Sequence, residues 1–147
     1  SEPLCTMEVS ADSLGREGIP TDGTNLVIRA LQLYADKTGE RRRIHCRLHK
    51  AVPAQAGLGG GSGDCATALF AANQLAGFKA SEQDLIEWSA ELGSDIGFFL
   101  SRGTAFCTAH GGGKRCERDG CGASARWRRS GGGMLSGRSV CWRQLNG

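Results

Sequence analysis

The chain has 147 residues, a formal net charge of +3 and 39% hydrophobic residues, enough for one domain or for one domain with a tail. No run approaches the ~18 apolar residues of a membrane helix. The first residues lack a basic-then-apolar signal pattern, and neither a collagen repeat nor a coiled-coil heptad occurs.

Charge is unevenly placed. Residues 111–147 hold eight basic and two acidic residues (net +6), leaving ten basic and thirteen acidic in 1–110 (net −3). A basic balance hints at nucleic acid, but here the hint belongs only to the tail. Ten of the tail's 37 residues are glycine, and Trp127 and Trp142 sit among arginines without periodicity. Such a segment buries too little apolar area to offset its ordering entropy, so 111–147 reads as irregular. Seven cysteines is an odd number, and without a secretory signal they read as reduced thiols rather than a disulfide framework.

Along the chain, residues 1–18 read as an irregular segment and the folded body as 19–110. Leu26, Ala30, Leu31 and Tyr34 share one face of a helix beginning at Asn25, with Gly39 as its C-terminal stop. Ile44, Cys46 and Leu48 alternate with His45, Arg47 and His49, the signature of a strand whose two histidines on one face are solvent-facing. A Gly-rich segment then leads into an apolar helix with Ala66, Leu69, Phe70 and Leu75, closing near Gly77. Ser81 with Asp84 forms a capping pair for a helix through Leu85, Ile86 and Trp88 to Leu92. Residues 104–108 are a further strand. The order predicts an α+β domain rather than a doubly wound one.

The chemistry concentrates in Pro53, Ala54, Gln55, Ala56, Gly57, Leu58, Gly59, Gly60, Gly61, Ser62 and Gly63, between a predicted strand and a predicted helix. Glycines admit close approach of the backbone to a ligand and positive φ. Successive amides at a helix N-terminus make a positive site suited to a di- or triphosphate. Ser62 adds a hydroxyl for phosphate or Mg²⁺. The segment is neither a Walker A loop nor a G-x-G-x-x-G fingerprint. The second signal is Gly93-Ser94-Asp95-Ile96. Asp95 either caps a local turn or is a carboxylate poised to orient or deprotonate an attacking hydroxyl.

Taken together, these segments resemble the GHMP kinases. The likeness runs over about residues 19–108, through Asn25-Leu26-Val27-Ile28-Arg29-Ala30, Lys50-Ala51-Val52-Pro53 and Ala56-Gly57-Leu58-Gly59-Gly60-Gly61-Ser62. It continues through Ala66-Thr67-Ala68-Leu69, Ala72-Asn73-Gln74-Leu75, Glu87-Trp88-Ser89, Gly93-Ser94-Asp95-Ile96, Phe98-Phe99 and Ala105-Phe106-Cys107-Thr108. Within the family it is similar to the branch acting on 4-diphosphocytidyl-2-C-methyl-D-erythritol, in its plastid or algal form. The resemblance implies an incomplete α+β N-terminal domain, of the fold type named for domain 2 of a ribosomal protein. It implies ATP with Mg²⁺, and phosphorylation of that substrate's 2-hydroxyl on the non-mevalonate route to isoprenoids. It places Pro53–Gly63 around the ATP phosphates, Asp95 as the catalytic carboxylate, and Lys50 and Asn25 near the adenine. The expected setting is the chloroplast stroma or a bacterial-type cytoplasm, with a small-molecule substrate and no membrane or nucleic-acid partner.

The pattern departs from the family in several places. Gly63 stands where Ser is usual, and Gly97 where Pro is usual, which predicts a looser turn at Asp95. The family's lysine-bearing first strand has no counterpart before Asn25. After Thr108 the chain leaves the pattern for Gly, Arg, Cys and Trp, the expectation for an out-of-frame or misspliced segment; an abundant transcript with this frame intact would refute it. Alternative readings are an inactive nucleotide-binding fragment, another GHMP small-molecule kinase, and a basic tail that binds nucleic acid. A zinc site from Cys107, His110, Cys116 and Cys121 is disfavoured by their irregular spacing.

Overall fold

The computed structural model describes residues 4–53, 57–101, 105–110, 113–118, 136–137 and 140–144, from 105 onward by backbone alone. Strand β1 (Cys5–Val9) runs parallel to β2 (Ile44–Leu48), with Cys5 opposite Ile44 and Val9 opposite Leu48. Helix α1 (Leu26–Thr38) joins them, so the first half of the body is one β-α-β unit. Then follow α2 (Gly60–Leu75), α3 (Glu82–Ser89) and the short α4 (Ile96–Leu100). Strands β3 (Ala105–His110) and β4 (Gly113–Arg118) form a separate antiparallel pair. Strands β5 (Ser136–Gly137) and β6 (Val140–Gln144) extend the first sheet, in the order β1-β2-β6-β5.

Strand β1 corrects the reading of residues 1–18 as irregular. Cys5, Met7 and Val9 point inward while Thr6 and Glu8 face out, a period-2 pattern in a short run flanked by turn formers. On the outer face each side chain meets its register partner. Thr6 Oγ1 lies 2.9 Å from His45 Nδ1, and Arg47 donates to Glu8. That hydrogen bond from Arg47 is the main reason the Glu8 carboxyl sits below its ordinary range. His49 meets Asp12 at 3.2 Å. Of the tail, the described pieces are three strands; the remainder of 111–147, including Cys121, lies outside the described residues.

Helix α1 starts where its capping chemistry says. Asn25 Oδ1 accepts from the Val27 amide at 2.8 Å, and Gly39 ends the helix at φ +69°, a left-handed residue that glycine adopts without strain. Its buried face, with Val27, Ala30, Leu31 and Tyr34, packs on α2 through Cys65, Ala68, Leu69 and Ala72. Cys5, Cys46 and Cys65 are buried in this core, and burial raises the first to about 11 and the last to about 12. They act there as small apolar groups.

One buried amide ties three elements together. Asn73 Oδ1 accepts from Tyr34 Oη at 3.0 Å and from the Ala80 amide at 2.9 Å, while its Nδ2 donates to the Ala80 carbonyl at 2.9 Å. Helix α3 then opens on a complete capping box: the Ser81 hydroxyl accepts from the Asp84 amide, and the Asp84 carboxylate accepts from the Ser81 amide at 2.8 Å. Ser81→Ala is expected to lower stability by about 1 kcal/mol, as a shift of the urea midpoint without a change in slope. The Ser81 hydrogen bonds hold the Asp84 carboxyl below its usual range. This contribution is therefore present above the ordinary carboxylate range and is lost as pH falls through the lowered value.

Candidate functional site

The glycine-rich segment is half loop and half helix. Gly57 and Gly59 take φ +70° and +69°, and Gly59 is the N-cap of α2. Gly60, Gly61, Ser62 and Gly63 form the first helical turn, six residues ahead of the apolar run that marks this helix in the sequence. The first intrahelical bond runs from the Gly63 amide to the Gly59 carbonyl at 2.8 Å. The amides of Gly60, Gly61 and Ser62 therefore have no intrahelical acceptor, and Gly59 offers no side-chain cap. Leu58, ahead of this turn, is strongly exposed. Pro53 stands on the near side of the segment, while Ala54, Gln55 and Ala56 lie outside the described residues.

Three other parts of the fold converge on this turn, and each contact has a steric reason. A Cβ on Gly59 would stand 2.8 Å from Phe99 Cζ, and one on Gly63 would stand 3.7 Å from Phe99 Cδ1. Helix α4 thus leans its aromatic ring on the mouth of α2. A Cβ on Gly60 would stand 3.0 Å from Lys50 Nζ. A Cβ on Gly61 would meet Leu26 Cδ1, at the start of α1, at an ordinary 3.8 Å. Internal packing therefore asks for glycine at 59 and 60 but not at 61.

Asp95 is exposed and is the N-cap residue of α4; Ser94 Oγ donates to its Oδ1 at 3.0 Å. It does not cap the helix with its side chain. It precedes Phe99 by four residues, on the same side and about 6 Å along the axis. Gly97 is buried inside α4, and its carbonyl accepts from the Ser101 amide at 3.0 Å. The expected looser turn at Asp95 is instead a short helix, because Ile96 and Leu100 anchor it in the core.

Lys50 and Asn25 both spend polar atoms within the fold. Lys50 is only 5% exposed, and its ammonium donates to Asp64 Oδ2 at 2.6 Å. Its backbone is pinned by Ser13 Oγ and by the Leu14 amide. Burial pushes the Asp64 carboxyl above its ordinary value, against the pull of Lys50. Asn25 spends its side chain locally, on the Val27 amide and on the Pro20 carbonyl at 2.7 Å, although its neighbour Leu26 reaches Gly61. An open groove of ≈ 860 Å³ lies beside Pro53, walled by Ala11, Ser13 and the turn from Gly15 to Gly18. Sequence reasoning missed both this groove and Asp64; the only trace of Asp64 is a lone acid in an otherwise apolar and small-residue helix. Among the described residues no helix is long and apolar enough to cross a membrane.

The comparisons with known proteins fall on the same residues. Residues 25–111 match the family described as GHMP kinases N terminal domain. The chain is 55% identical over 95 residues to the chloroplastic 4-diphosphocytidyl-2-C-methyl-D-erythritol kinase of Arabidopsis thaliana, covering 65% of this chain and 25% of that protein. It is 50% identical over 93 residues to the 4-diphosphocytidyl-2-C-methyl-D-erythritol kinase of Protochlamydia amoebophila, covering 63% and 32%. A crystal structure of 4-(cytidine 5'-diphospho)-2C-methyl-D-erythritol kinase superposes with a TM-score of 0.56 at 30% identity, covering 80% of this chain and 39% of that one. The chain thus spans about a quarter to a third of the length of the curated relatives it matches. A family match over more than half of the chain, on an α+β fold whose matched glycine-rich segment opens a glycine-capped helix, makes this chain a member of the GHMP kinase family.

Proposed function

We propose that the chain binds ATP at the first turn of α2 and, with Asp95, phosphorylates the 2-hydroxyl of 4-diphosphocytidyl-2-C-methyl-D-erythritol in isoprenoid biosynthesis. The observation that carries this reading is the amide array. Gly60, Gly61 and Ser62 present N–H groups without intrahelical acceptors, at the positive end of a 16-residue helix, the arrangement that favours phosphate oxygens. The groove beside Pro53 is where we place the nucleoside end of ATP. The substrate and the chloroplast setting rest on the names of the relatives.

Phosphoryl transfer asks mainly for positioning and charge stabilisation. The α2 amides hold and orient the phosphate chain. The Asp95 carboxylate accepts the hydrogen of the incoming hydroxyl and aims its oxygen, a role typically worth ~10²–10⁴ in rate. Phe99 and Leu58 are apolar walls that exclude water from the mouth. Mg²⁺ takes most of its ligands from phosphate and water and needs only one or two protein oxygens; Ser62 Oγ and the Asp95 carboxylate are the hard donors here, so the residues fit. When bound, the ion neutralises charge on the transferred group.

The test is calorimetric titration of the full chain with MgATP, followed by a transfer assay on the diphosphocytidyl substrate. The expected result is saturable one-to-one binding and appearance of the 2-phosphate. Absence of binding overturns the reading; binding with no product in the transfer assay reduces it to nucleotide binding alone.

A further inference from the structure

The buried pair Lys50–Asp64 is unusual for its place. An ammonium and a carboxyl, each 5% exposed, meet at 2.6 Å in the interior, where desolvation makes such pairs costly and often replaceable by apolar residues. Packing alone does not explain the pair. Asp64 comes from the second turn of α2, and Lys50 from the connection after β2, fourteen residues earlier. Their meeting brings Lys50 Nζ to 3.0 Å from where a Cβ on Gly60 would stand, just inside the turn whose amides face outward. A lysine ammonium has three donors. Asp64 takes one, which leaves hydrogen-bonding capacity beside the amide array.

We propose that Asp64 is a positioning residue for nucleotide binding: it anchors the Lys50 ammonium against Gly60, so that this cation and the α2 amides receive a polyphosphate as one rigid seat. The inference rests on the nucleotide reading above and assigns Lys50 to the phosphate end rather than to the base. A flexible lysine loses rotamer freedom whenever it grips a ligand. A lysine already held by a buried partner has given up that freedom on folding, so more of its attraction is expressed as affinity. Without an acceptor at position 64 the ammonium would leave its buried place for water and lose its alignment with the turn. An asparagine would keep an acceptor oxygen there and hold it.

The full chain is titrated with inorganic tripolyphosphate and with MgATP, and melting is recorded for each variant. Asp64→Leu is expected to weaken tripolyphosphate binding at least tenfold. Asp64→Asn is expected to stay within about threefold of the parent, a rescue that a purely volumetric role for Asp64 would not produce. The double variant Lys50→Met with Asp64→Leu replaces both charges by apolar groups, so it is expected to melt close to the parent yet bind at least tenfold more weakly. In the unmutated chain, labelled for ¹⁵N at lysine, the Lys50 ammonium resonance is expected to shift on titration with tripolyphosphate. Parent-like affinity in Asp64→Leu or in the double variant, or an unmoved Lys50 resonance while tripolyphosphate binds, overturns the Asp64 inference alone. A parent chain that binds neither tripolyphosphate nor MgATP overturns this inference and the nucleotide reading together.

Discussion

Asp95→Asn is expected to lower phosphoryl transfer at least a hundredfold while MgATP affinity stays within about threefold. The two halves of this prediction come from separate parts of the site. Nucleotide binding is assigned to the amides of Gly60, Gly61 and Ser62 and to the anchored Lys50. The carboxylate stands at the start of a different helix, α4. Asparagine preserves size and can still accept from Ser94 Oγ, so α4 should keep its place. What it lacks is the charge that takes a proton from an attacking hydroxyl, a loss in the range of ~10²–10⁴ for general bases. A fall in kcat with KM for ATP unchanged is the signature of an interaction made in the transition state. Equal turnover by the variant would remove Asp95 from the reaction.

Gly59→Val is expected to cost about 2–3 kcal/mol of stability and to weaken MgATP binding at least tenfold. Position 59 combines two demands that no side chain meets. Its φ is +69°, a region costly for any residue with a Cβ and worst for a branched one. Its Cβ would also stand 2.8 Å from Phe99 Cζ, so the ring must swing away and take its support from the mouth. For a domain whose whole stability is roughly 5–15 kcal/mol, this is a large fraction. The contributions separate in a double-mutant cycle. In a Phe99→Ala background, Gly59→Ala should carry only its backbone cost of about 1 kcal/mol. Urea midpoints of the four proteins measure the coupling, and additivity would show that ring and glycine do not communicate.

How much of this was legible before the fold was seen depends on how local the physics is. Asn25, Gly39, Ser81 and Asp84 were readable as helix signals because capping is settled within a few residues of chain. The strand through Ile44, Cys46 and Leu48 was readable from alternation; Cys5, Met7 and Val9 alternate over an equal length, but the turn formers that follow them masked the signal. The start of α2 was misplaced because glycine is a poor helix former; tertiary packing of Cys65, Ala66, Ala68 and Leu69 overrides that preference. The second part of the expected phosphate loop, from Gly60, is therefore a helix terminus. The Lys50–Asp64 pair, the Phe99 contacts and the groove beside Pro53 join residues from separate elements, and no period or spacing encodes such meetings. Asn25 shows the opposite case. The family likeness sets it near a ligand, whereas its side chain is already occupied in starting α1.

The Asn73 amide has a consequence for how this domain tolerates change. The stretch between α2 and α3 is short and lies near the surface, where connections ordinarily accept inserted or deleted residues at little cost. Here its last residue, Ala80, is clasped at both amide and carbonyl by a side chain rooted in the second helix, which also grips Tyr34 of the first. The span from 76 to 80 has no slack to absorb a change of length, so sequence variation there is confined to swaps of side chain. The turn before β2 is joined to the same span, because Arg42 donates to the Leu75 carbonyl and Lys79 pairs with Glu40 at 3.1 Å, so a change of length there would pull on both connections at once.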